Sequence, residues 1–129
     1  MIIRGTFDIE ATPEPPFDTD EGVVLGRMTF SKQFSGPLDA AGTVHMTYAR
    51  TPADSSAGYV AVEKITGALE GRKGSFVVMH TGVTRGGDLS LTVAIVPDSG
   101  TGELAGISGT MTLDNTESGH EYALDYQLA

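Results

Sequence analysis

Glu63 and His80 are the residues whose type and spacing could do chemistry. In "GYVAVEKITG", alternation with period two puts Glu63 on the face of Tyr59, Ala61 and Ile65, away from Val60, Val62 and Lys64. A carboxylate on an apolar strand face is costly unless it is paired or protonated. His80, in "SFVVMHTG", is its natural partner across a hairpin. Such a pair can transfer protons or grip a polar group of a ligand. It can equally be an internal hydrogen bond that fixes strand register, or two groups in water at a barrel mouth. Tyr48, Tyr59, Tyr122 and Tyr126 could line the same interior, or could send their hydroxyls to a rim or a backbone carbonyl.

Other chemistries fail on spacing. A phosphate loop needs Gly, four residues, then Gly-Lys-Ser/Thr entering a helix. Here Gly71 is followed by Arg72-Lys73-Gly74-Ser75 and then a strand pattern. Gly100, Gly102 and Gly106 are one residue too wide for a dinucleotide fingerprint, and no helix follows them. His45 alternates outward between Val44 and Met46, and His120 sits in the polar turn "NTESGHE", so neither gives a metal-ligand spacing with His80. No metal and no cofactor are expected. No nucleophile-elbow or other triad pattern surrounds any serine.

The elements that must position Glu63 and His80 are strands. Period-two segments run over residues 2–11, 22–34, 43–50, 58–69, 74–84, 88–97, 108–114 and 121–128. The proline-rich "TPEPPFDTDEG" and the polar "ARTPADSSAG" separate strands as loops. No stretch holds a helical period. With 129 residues and 17 glycines, the chain reads as one all-β domain over residues 1–129. Eight meandering antiparallel strands can close into a barrel and so remove their edges. A packed sandwich is the rival arrangement. A barrel of this size holds packed side chains or one small ligand.

Two glycine frames, "TGALEGRKGSFVV" from Thr66 and "TGELAGISGTMTL" from Thr101, superpose and read as two copies of one hairpin. The register they suggest sets Leu69 opposite Phe76 and Ile65 opposite His80, with Glu63 diagonal to His80. On the outer face, Val60, Val62, Val77, Met79, Val83, Ala94 and Val96 make an apolar surface, the mark of a homo-oligomer or of plain β-propensity.

The net charge of −9, with only eight Lys and Arg residues scattered along the chain, argues against nucleic acid and anionic membrane surfaces. No cysteine is present, which suits a reducing compartment. Arg4 and Asp8 interrupt the stretch where a signal peptide would be apolar, so a cytoplasmic protein is expected.

Several segments resemble an uncharacterised bacterial family, domain of unknown function 3224. They are "VEKITGALEGRKGSFVVMHTG", "PDSGTGELAGISGT", the closing "YALDYQL", and Tyr48 in "VHMTYAR". The resemblance spans nearly the whole chain and implies the closed, calycin-like barrel of allene oxide cyclase, with a central cavity. "GTGELAGISG" also looks like the glycine element of plant allene oxide cyclases and dirigent proteins. No activity comes with the resemblance.

Three functions follow as expectations. The first is a barrel binding a small hydrophobic molecule through Glu63, His80, Tyr48, Tyr59 and Tyr126. The second is an isomerase or cyclase with Glu63 and His80 as acid and base. The third is a structural or interaction protein whose barrel is filled by its own side chains.

Overall fold

The computed structural model describes residues 1–53, 55–116 and 119–129, with the side chain of Thr116 excepted. Asp54, in the polar turn "ARTPADSSAG", and Glu117 and Ser118, in "NTESGHE", lie outside the described residues. Eight strands follow one another: β1 (Ile2–Pro13), β2 (Val24–Ser35), β3 (Leu38–Arg50), β4 (Ala57–Leu69), β5 (Arg72–Arg85), β6 (Asp88–Ile95), β7 (Ser108–Thr116) and β8 (Gly119–Gln127). Each pairs antiparallel with the next, and β8 pairs back onto β1, so the sheet is a closed meander barrel. Closure pairs the first strand with the last, so the sheet ends in no free edge strand; the β6–β7 seam is the weakest, with one register pair. No helix is long and apolar enough to cross a membrane among the described residues.

The alternation of the sequence becomes the inside and outside of this barrel. Phe34, Ile65, Phe76, Val78 and Leu124 are fully or almost fully buried at its centre. Outward, Val60, Val62, Met79 and Val83 are exposed on neighbouring β4 and β5, whereas Val77, Ala94 and Val96 are half-buried.

The hairpin register differs from the one the glycine frame suggests. Leu69 pairs with Arg72, Ile65 with Phe76 and Ala61 with His80, while Glu63 faces Val78. The turn consists of only Glu70 and Gly71, both at positive φ (47° and 83°), as a tight two-residue reversal demands. The whole register therefore moves by two residues along each strand. Because side chains alternate with period two, such a shift leaves every residue on its original face.

The second glycine frame is not a hairpin. Residues 96–107 form a long connection with a 3-10 turn at Gly102–Leu104, and β6 meets β7 at a single register pair, Ala94 with Thr110. Leu104 and Ile107, 1% and 2% exposed, plug the barrel end where Leu38 and Leu69 are also buried. The frame packs on β5: Ser75 N–H donates to the Thr101 hydroxyl at 3.0 Å, and Thr101 N–H donates to the Ser75 carbonyl at 2.8 Å. Ser99 Oγ accepts Val77 N–H at 3.1 Å, and the Glu103 carboxylate accepts Lys73 N–H at 3.1 Å. Gly74 makes this docking possible, since a Cβ there would overlap the Thr101 carbonyl oxygen. The Lys73, Ser75, Val77 and Thr101 amides are thus engaged within the protein.

Candidate functional site

Three strands bring three polar side chains together in the middle of the barrel. Inward alternation along β2 runs Met28, Phe30, Lys32, Phe34, and so carries Lys32 inside. On β4, Glu63 lies between Ala61 and Ile65. On β5, His80 lies one inward position above Val78. Glu63 is 0% exposed. Its Oε1 accepts Lys32 Nζ at 3.2 Å and meets His80 Nε2 at 2.8 Å. The hydrogen bond needs the Nε2–H tautomer of His80 when Glu63 is ionised. Among the described residues no hydrogen bond is made to His80 Nδ1.

Glu63 Oε2 is buried with no hydrogen-bond partner among the described residues. It lies over Gly42 of β3, where a Cβ would overlap it and crowd the Phe34 ring at 3.1 Å. An unpartnered buried acceptor costs about 1–3 kcal/mol. The Lys32 ammonium is held on its other sides by aromatic faces, 5.0 Å from the Phe7 centroid and 5.7 Å from that of Phe34. Such contacts stabilise a cation without neutralising it.

Above this trio the barrel is open. A cavity of about 290 Å³ is walled by Phe7, Phe30, Val44, Met46, Leu91 and Leu113, with Lys32 and His80 as its interior polar side chains. Asp114, Asn115 and His120 border it on β7 and β8. Glu63 does not line the cavity; it stands behind Lys32 and His80. The interior is therefore divided, filled by side chains at the plugged end and hollow at the other.

The tyrosines separate. Tyr59 lines the cavity, and burial raises its pKa above the ordinary 10.0. Tyr48 pairs with Tyr59 in register but lies beside the Arg50 guanidinium, 5.2 Å from its ring centroid, and is not part of the cavity wall. Tyr126 is at the other end of β8, its hydroxyl donating to the Glu70 carboxylate in the β4–β5 turn. The structure does not bring it to Glu63 and His80. Tyr122 accepts Leu38 N–H at 3.1 Å and donates to the Ser35 carbonyl at 3.1 Å, tying β8 to the β2–β3 turn.

Two site residues escape the sequence reading. Lys32 had a signal, because "MTFSKQF" places it in phase with Met28, Phe30 and Phe34. His120 is in β8 rather than in a turn, its ring stacked on Phe7 with centroids 5.1 Å apart and its Nδ1 bonded to Asn115.

A family model described as "Protein of unknown function (DUF3224)" matches residues 3–126. The chain belongs to the DUF3224 family. Among solved structures, the DUF3224 chain is similar to a crystal structure of a protein with unknown function from the DUF3224 family of Shewanella oneidensis MR-1. The identity is 41%, with 100% of this chain and 98% of that chain covered and a TM-score of 0.94. Comparison of the DUF3224 chain with curated proteins finds no match.

Proposed function

We propose that the barrel binds a small, largely apolar molecule whose hydrogen-bond-accepting end rests on Lys32 and His80. One observation carries this reading: two buried donor side chains meet in an apolar cavity of about 290 Å³, and the carboxylate they share is turned away from it. Ligand sites are mostly apolar concavities of about 300–1,000 Å³ with a few placed polar groups, and this cavity is at the small end of that range. Glu63 is the positioning residue, holding an ammonium and an imidazole side by side. Tyr59 adds a hydroxyl on the wall.

The energetics support a binding role over a purely structural one. Burying a carboxylate and an ammonium is expensive, and an apolar replacement of similar volume is often neutral or stabilising. The uneven sharing of Glu63, with two donors on Oε1 and none on Oε2, is a poor way to stabilise a core. It is a good way to fix the direction of the two groups that face the cavity.

Native mass spectrometry of the protein purified from its own host tests the reading. Ala61, 3% exposed and on the cavity wall, gives the control, because Ala61→Phe fills the space. A small mass retained by the wild type and missing from the folded variant is expected. An equal bound mass in both would place the ligand elsewhere and refute the assignment.

A further inference from the structure

We propose that the cavity catalyses proton transfer beside a neutral carbonyl group. His80 Nδ1 removes a proton from the carbon next to the carbonyl of a bound ketone, aldehyde or ester, and the Lys32 ammonium receives the charge that develops on oxygen. This rests on the binding reading above and extends it to a substrate class and a reaction.

Charge accounting selects the carbonyl. Before reaction, the buried charges among the described residues are one carboxylate, Glu63, and one ammonium, Lys32, in contact at 3.2 Å. A carboxylate ligand would add a second negative charge beside Glu63 in an apolar enclosure, where like charges repel strongly. A neutral carbonyl adds none. On proton abstraction, the C–H electron pair becomes the new C=C bond and the C=O π pair moves to oxygen. The products are an enolate and an imidazolium. The imidazolium forms with its Nε2–H 2.8 Å from Glu63 Oε1, and the enolate oxygen forms beside Lys32. Each new charge thus meets a preset opposite charge, the arrangement that stabilises a transition state without reorganisation. Return of the proton from Nδ1 to the same carbon gives exchange or racemisation. Return to a conjugated carbon further along gives isomerisation, with no other reactant consumed.

The geometry has the parts such a step requires. A base is oriented through its second nitrogen by a carboxylate. An electrophilic cation stands next to it, paired with Glu63 at 3.2 Å on one side and flanked by the faces of Phe7 and Phe34 at 5.0 and 5.7 Å on others. Apolar walls limit water at the reacting carbon. His80 and Lys32 are catalytic residues in this scheme, and Glu63 is a positioning residue.

Cyclohexanone and 2-heptanone serve as probes, with octanoate for comparison. Binding is read by saturation-transfer NMR, and exchange by loss of the α-proton signals in deuterium oxide. The wild-type protein is expected to accelerate exchange over buffer by about 10²-fold or more, the range of a positioned general base. His80→Gln and Lys32→Met, each verified as folded by thermal melting, are expected to bring the rate close to that of buffer. Ala61→Phe should abolish both binding and exchange.

Ketones that bind the wild type yet exchange at the buffer rate overturn the catalytic proposal and leave the binding reading standing. Tight octanoate binding with no ketone binding overturns the choice of carbonyl and again leaves binding intact. No binding of any probe overturns both. The wild-type measurement decides among these outcomes even where a variant fails to fold.

Discussion

Replacing Glu63 by Gln tests whether the buried trio is a charged unit. Glu63 and the Lys32 side chain are 0% and 4% exposed, and they touch at 3.2 Å. Gln keeps the shape and can still accept one hydrogen bond, but it leaves the Lys32 ammonium without a counter-charge. Breaking a buried ion pair on one side costs about 3–5 kcal/mol. A domain of this size is typically stable by about 5–15 kcal/mol, so the variant should still fold. Its melting temperature should fall by about 10–20 °C. Lys32→Met should cost a similar amount by leaving the carboxylate. The double variant removes both charges and should recover most of the loss, to within about 1 kcal/mol of the wild type, because buried pairs often break even against apolar replacements. Urea unfolding of the four proteins at neutral pH completes the double-mutant cycle. If the two single losses simply add in the double variant, Lys32 and Glu63 are not coupled and the reasoning fails.

Leu104→Ala should cost about 2–5 kcal/mol in urea unfolding, because the 1%-exposed side chain plugs the barrel end; a loss under about 1 kcal/mol would mean that the second glycine frame is a surface loop. Gly74→Ala should destabilise by about 1–3 kcal/mol and speed amide exchange at Ser75 and Thr101, whose mutual hydrogen bonds it would separate; unchanged melting would contradict the tight docking of the frame on β5. Tyr59, Tyr122 and Tyr126 all have pKa values raised above 10.0, first by burial; Glu70 raises Tyr126 further, and the Leu38 backbone bond partly offsets Tyr122. A raised pKa contributes stability that is complete below the unfolded value of 10.0 and is lost as the pH climbs through the folded one. Urea midpoints should therefore drop above about pH 10 while tyrosinate absorbance lags, and ordinary titration of all four tyrosines in the folded protein would refute the shifts. We also propose that a second copy of the chain covers Val60, Val62, Met79 and Val83; sedimentation should show a Val62→Lys-sensitive oligomer, and a monomer at every concentration would end the idea.

The faces of the strands were legible in the sequence, because period-two alternation is a local property that each segment states for itself. Glu63 and His80 therefore share the barrel interior even though the register is shifted by two residues along each strand from the one the glycine frame suggests. The same rule applied to "MTFSKQF" carries Lys32 inward, but a lysine's long stem also lets it bury its carbons and leave its charge in water, so alternation alone did not mark it. The depth of each side chain was not legible, because it depends on turn length and on the stagger between strands distant in sequence. Those decided that Tyr59 reaches the cavity while Tyr126 stands on Glu70 at the far end. They also decided that Lys32 and His80 face the hollow half with Glu63 behind them. The glycine frames show the limit most plainly: their shared spacing suits two hairpins, yet one is a turn and the other a plug that packs upon it. Local pattern set which way each side chain points. Only closure of the sheet set what it meets.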